Sequence, residues 1–146
     1  MPHLTIAIDA VRGPIIKLLV GVSTPRGIAL AEAGLKSPEP IVVDFLVDTG
    51  ASCTVIDETT MAPLGLTPTG ETLVSTPTTG GKAESRFLYD VGMMLYHSDH
   101  SRIFNSHPVI ATDLSDQGIG GLLGRDVLES CLLVYDGSTK YFSLAF

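Results

Sequence analysis

Short apolar runs, each closed by glycine, proline or a small polar residue, recur along most of the chain. That rhythm predicts an all-β barrel or sandwich rather than a bundle of helices. The strands it predicts are Leu4–Ile8, Ile15–Val22, Ile41–Val47, Thr54–Ile56, Glu71–Ser75, Ala83–Asp90, Gly92–Tyr96, Val109–Ala111, Leu132–Tyr135 and Tyr141–Ala145. The last two are joined by Asp136-Gly137-Ser138-Thr139-Lys140, which is good hairpin-turn chemistry. Between Thr24 and Pro40 the run TPRGIALAEAGLKSPEP has prolines at both ends and a helix-compatible centre. It predicts a surface insertion between two strands. One helix is predicted in RDVLESCLL, starting near Arg125, before LLVYDG returns to strand-like composition. Without an internal repeat, a low-complexity tail or a second core, residues 1–146 read as one domain.

The run Ile41–Val47 is nearly continuous in apolar character, as for a strand covered on both faces. It ends abruptly on Asp48-Thr49-Gly50-Ala51-Ser52, after which SCTVI turns apolar again. Gly50 suits a tight reversal. A rigid strand–turn–strand would then hold the Asp48 carboxylate in a defined orientation beside a dry core, a useful arrangement for acid–base chemistry. Asp-Thr-Gly by itself is also ordinary turn chemistry. What changes its weight is a later segment, GGLLGRDVL at 120–128, where an apolar pair runs into Gly124, Arg125, Asp126 and a helix start.

An apolar strand into DTGAS followed by LLGRDVL resembles the retropepsin-like aspartic proteases, the family that includes the retroviral enzymes. The resemblance covers the chain from about Ile15 to its last residue. It implies a mostly-β, closed acid-protease barrel with one short helix in the C-terminal region and a β-hairpin flap. It also implies that Asp48 is catalytic and that two such acids face each other across a water. The two acids share one proton: the ionised member activates the water, and the protonated member bonds the scissile carbonyl. This chain has one Asp-Thr-Gly, and neither TDLSD nor YDGST supplies a second. The resemblance therefore implies a homodimer whose two-fold axis passes the catalytic loops.

By matching position, Thr49 resembles the threonine whose hydroxyl bonds across that axis, and Gly50 the turn glycine. Ala51 and Ser52 would line the substrate groove. The flap falls within Val74–Phe87, with Thr78, Thr79, Gly80 and Gly81 as its tip. Gly124 would let the later segment pack beneath the loop, and Arg125 would anchor the helix. Retroviral members usually have an acid at the position of Ser52, paired with the arginine; here Arg125 needs another acceptor, Asp57 or backbone carbonyls. Gly118–Gly121, GIGG, looks like a retroviral flap tip but comes too late in the chain. HLTIAI and YFSLAF are candidates for a dimer sheet.

Composition adds limits. Apolar residues make up 45% and charged residues 17%, which leaves room for a second apolar interface such as a dimer contact or a groove. A net charge of −7 without any basic run argues against nucleic acid as a partner. GIGGLLG lacks the spacing of a dinucleotide loop and the lysine of a P-loop, so no cofactor is expected. The opening residues do not read as a signal peptide and no stretch is long enough for a membrane span, so the expectation is cytoplasmic. Cys53 and Cys131 are expected to be reduced and buried. His97, Asp99, His100 and His107 read as a solvated loop rather than a metal site. Asp44 and Asp57 are expected to face solvent. The leading expectation is an aspartic endopeptidase acting as a homodimer on peptide or protein substrates. The alternatives are a non-catalytic peptide-binding or dimerisation module on the same fold and, behind it, a metal-dependent hydrolase using the histidines.

Overall fold

The computed structural model describes residues 1–146, with the side chain of Thr78 outside the described set. It is mostly β. The strands are β1 (His3–Ala7), β2 (Ile15–Val22), β3 (Ile41–Val47), β4 (Val55–Asp57), β5 (Gly70–Val74), β6 (Glu84–His97), β7 (His100–Thr112), β8 (Gly121–Leu123), β9 (Leu132–Asp136) and β10 (Tyr141–Ala145). Three short α-helices join them: α1 (Thr24–Glu32), α2 (Glu58–Met61) and α3 (Arg125–Leu128).

Six strands, in the order β2-β3-β8-β4-β7-β6, close into a barrel through antiparallel pairing of β2 with β6. Closure leaves no free edge around the ring. It requires a close approach at Gly92, where a Cβ would lie 2.8 Å from the carbonyl oxygen of Val22. β5 hangs on the outer half of β6 as a hairpin. A separate antiparallel sheet, β1-β10-β9, lays Leu4, Phe142 and Leu144 onto the same core.

The core follows the two-residue alternation of strands. Leu18 and Val20 of β2, Val43 and Phe45 of β3, and Val91 and Leu95 of β6 are all fully enclosed. β3 departs from the expectation of burial on both faces, because Val42 is 55% exposed. Its outer face is covered only near its C-terminal end, where Leu46 joins Val55 and Leu122 against Ile15, Leu114 and Ile119.

Other boundaries differ for identifiable reasons. The two strands expected at Ala83–Asp90 and Gly92–Tyr96 are one strand, with a bulge between Val91 and Met93. The expected Val109–Ala111 is the end of a 13-residue strand. Its polar half pairs with β6 in a hairpin that closes at His97 and His100 over Ser98, at φ 51°. The segment expected as a solvated histidine loop is therefore mostly sheet. β8, three residues long, had no signal of its own. α1 occupies the expected insertion; the Ser23 hydroxyl accepts from Arg26 N at its start, and none of its residues is buried. The expected C-terminal helix is a single turn, α3.

Three further expectations are corrected. Cys53 is exposed and Cys131 half-buried, both with free thiols; Cys53 follows directly on the exposed residues of the Asp48 turn. Asp44 is not simply solvated: it pairs with Arg12 and Lys17 and joins the β1–β2 connection to β3. Asp57 is buried at 5% exposure, which its bonds offset. Its carboxylate caps α2 by accepting from Thr60 N at 2.9 Å and accepts from Leu114 N at 2.8 Å. Among the described residues, no helix is long and apolar enough to cross a membrane.

Burial alone would raise the Asp57 carboxyl; the bonds from Leu114 and Thr60 more than reverse this and hold it below the usual range. Its contribution to stability is thus complete above about pH 4 and is lost as pH falls through the lowered folded value. Asp57→Ala strands a capped amide and a buried one, and should cost about 2–4 kcal/mol in urea unfolding at neutral pH. Asp57→Asn should show a smaller loss of stability between neutral and acid pH than the parent, read from unfolding curves across that range.

Candidate functional site

Where β3 ends, the backbone turns outward and is tied to the chain beneath it. Asp48 N donates to Leu123 O at 3.1 Å, and Ala51 N returns to Asp48 O at 3.2 Å. Asp48 is half-buried, whereas Thr49, Gly50 and Ser52 are exposed. The Asp48 carboxylate takes its orientation from Gly50 N, which donates to Oδ1 at 2.8 Å. Gly50 makes this turn without left-handed backbone. Its lack of a side chain leaves room for the carboxylate instead, since a Cβ there would sit 3.1 Å from Asp48 Oδ1.

The support beneath is the turn from β8 into α3. Arg125 N donates to Ala51 O at 2.9 Å. The Arg125 guanidinium donates from Nη1 to Thr49 O at 2.9 Å. Of the two acceptors expected for Arg125, a backbone carbonyl is used and Asp57 is not, because Asp57 is occupied at α2. Gly124 lies directly against the loop's far flank: a Cβ would fall 2.5 Å from both C and O of Cys53. No other residue allows that approach without moving backbone.

Sequence reasoning missed two members of this support, Thr54 and Asp126, and gave His107 a different setting. Thr54 is completely buried. Its amide donates to Asp126 Oδ2 at 2.9 Å and its hydroxyl to Asp126 Oδ1 at 2.7 Å. The hydroxyl oxygen in turn accepts from Gly124 N at 3.1 Å. His107 Nε2 lies 2.9 Å from Asp126 Oδ2. Burial by itself would raise the Asp126 carboxyl, but the bonds from His107 and Thr54 outweigh it and hold it below the usual range. Asp126 was visible only as part of the Gly-Arg-Asp run; nothing in the sequence marked its partners.

The hairpin of β5 and β6 is registered from Gly70 opposite Leu88 to Val74 opposite Glu84. At its turn Thr79 and Thr76 bond reciprocally around a short helical turn at Pro77–Thr79. Gly80 and Gly81 follow in left-handed conformation, at φ 62° and 81°; the side chain of Thr78, expected at the tip, lies outside the described residues. A cavity of about 380 Å³ separates Val74, Thr76 and Thr79 of the hairpin from Val55, Ile110 and Leu122 of the barrel. Leu122 pairs with Leu46, two residues before Asp48, so the cavity floor adjoins the loop. Gly118–Gly121 is not a hairpin tip: it leads from a short helical turn at Ser115–Gln117 into β8, which Gly121 opens. Among the described residues, no group of three or more His, Cys, Asp or Glu side chains could hold a metal ion.

Residues 39–127 match the family model described as aspartyl protease. This interval includes the Asp48 loop, the hairpin, and Gly124, Arg125 and Asp126. No curated protein matches the chain. Among solved structures, the crystal structure of a retropepsin-like aspartic protease from Rickettsia conorii is similar at 18% identity and a TM-score of 0.58. The match covers 99% of this chain and 91% of that one. At this identity the similarity speaks for the fold, which is retropepsin-like.

Gly124→Ala forces a methyl group onto the Cys53 carbonyl, which has no side-chain freedom with which to yield. The expected cost is about 1–3 kcal/mol or more in urea unfolding, the range for overpacking a close contact. A variant as stable as the parent would show that the approach of the two segments is looser than described.

Proposed function

The chain belongs to the aspartyl protease family, and from that premise we propose that it is an endopeptidase active as a symmetric homodimer, each protomer contributing Asp48. The observation that carries this reading is the held carboxylate itself. Asp48 stands at the end of a barrel strand, oriented by Gly50 N and backed by Arg125 and Leu123. The sequence has one Asp-Thr-Gly, so a water can be flanked by two such acids only if a second copy brings the other.

In the proposed mechanism the two Asp48 carboxyls share one proton across a water. The ionised acid takes a proton from the water, which attacks the scissile carbonyl carbon. The protonated acid donates to the carbonyl oxygen as charge develops there. Collapse of the tetrahedral species passes a proton to the leaving nitrogen and restores the shared proton. Thr49 would fix the paired loops across the axis. Ala51 and Ser52 would border the peptide, and the hairpin carrying Thr78, Thr79, Gly80 and Gly81 would close over it. Gly124 and Arg125 support the loop from behind. The apolar floor at Val55, Ile110 and Leu122 suits a substrate side chain beside the cleaved bond.

Asp48→Asn should reduce cleavage of dye-labelled, unfolded casein to background while leaving the circular dichroism spectrum unchanged. In an equimolar mixture with parent chain it should leave about a quarter of the activity of parent alone at the same total chain concentration, rather than half, because random pairing makes mixed dimers inactive. Activity surviving in Asp48→Asn rejects the proposed role of this acid. A residual half after mixing rejects the shared site. Casein binding without cleavage by the parent at any pH would favour a non-catalytic peptide-binding module.

A further inference from the structure

One side chain beside the loop has no part in the chemistry above. His107 lies on β7 opposite Val91 of β6, and its side chain is 13% exposed. Its ring meets Phe104 edge-on, with centroids 5.8 Å apart. A ring nitrogen 2.9 Å from a carboxylate oxygen is a hydrogen bond only with the hydrogen on Nε2, so His107 donates to Asp126. Asp126 Oδ2 also accepts from Thr54 N, and Oδ1 accepts from the Thr54 hydroxyl, which accepts from Gly124 N. One line of bonds therefore joins β7, α3 and the far flank of the Asp48 loop.

Asp126 Oδ1 accepts in addition from Val127 N of its own helical turn at 3.0 Å. Among the described residues of the loop and the turn, Oδ2 has the Thr54 amide alone. A carboxylate turns in a broad well about its last torsion, so Oδ2 is the less firmly held end. The donor from β7 is the second on Oδ2 and limits that rotation, just as an outer-shell partner orients a ligating side chain in a metal site. We infer that His107 is a positioning residue: by donating from Nε2 it fixes the Asp126 carboxylate, which clamps Thr54 and so sets the loop that carries Asp48. The catalytic consequence rests on Asp48 being the reacting acid; the effect on the loop does not.

Two variants separate the donor from the ring. His107→Phe keeps an aromatic edge against Phe104 and loses the donor. His107→Gln keeps an N–H donor and gives up the ring. For His107→Phe the expected results are a kcat on dye-labelled unfolded casein at least tenfold lower, a KM within twofold of the parent, and a Thr54 amide that exchanges with deuterium at least tenfold faster. His107→Gln should restore both. Melting curves recorded alongside ensure that only folded protein is compared. A parent-like kcat with parent-like Thr54 exchange in His107→Phe overturns the inference, as does a Gln variant that loses as much as Phe. If the parent cuts nothing, or Asp48→Asn still cuts, the proposed function fails, and Thr54 exchange in the two variants still decides whether His107 positions the loop.

Discussion

Everything at the Asp48 end of the barrel depends on how closely two backbones can approach. The loop from 48 to 54 lies on the turn from Leu123 to Asp126, and the contact is backbone against backbone at Gly124 and Cys53. At that separation the loop's polar groups find their partners in the turn. Asp48 N reaches Leu123 O, Arg125 N reaches Ala51 O, and Gly124 N reaches the Thr54 hydroxyl. Buried backbone groups need such partners, so the contact settles both the position of the loop and the satisfaction of its hydrogen bonds. A side chain at 124 would separate the two strands of chain and leave several donors unpaired together.

Most of the framework for this arrangement was legible in the sequence. β2, β3 and β10 fall where their apolar runs placed them, because each run is bounded by glycine, proline or polar residues that close the strand. DTGAS and GRD were legible as a pair through their order and their resemblance to the motifs of the family, since Asp-Thr-Gly alone is ordinary turn chemistry. The bonds between them were not. Thr54 and Asp126 are separated by 72 positions, and His107 and Asp126 by 19. No local pattern signals a partner at that distance. β8 escaped notice for a related reason: three residues are too few to show a period, and its place between β3 and β4 is decided by the barrel.

The polar half of β7 escaped for the opposite reason. Its residues read as solvated, and several are, but their backbone pairs with the later half of β6, from Val91 to His97. Long hairpins exposed on one face obey hydrogen bonding more than hydropathy. That matters for His107, which the sequence grouped with His97 and His100. In the fold, His97 and His100 close the hairpin tip, while His107 lies farther along the strand, turned in toward Asp126. Three residues that look alike in sequence thus divide into an exposed end and a sheltered donor.

Rigidity of the loop bears directly on a site assembled from two copies. Within the proposed homodimer, the distance between the two carboxylates depends on two placements, so the looseness of each protomer adds to that of the other at the shared water. Oriented reacting groups lose rate steeply with small displacements. A chain with one acid therefore needs its loop set before the partner arrives, by contacts internal to each protomer. The bonds of Gly50, Arg125, Thr54 and Asp126 are all of that kind. They are made within one chain, and they leave the outer side of the loop, at Thr49 and Ser52, exposed for whatever meets it.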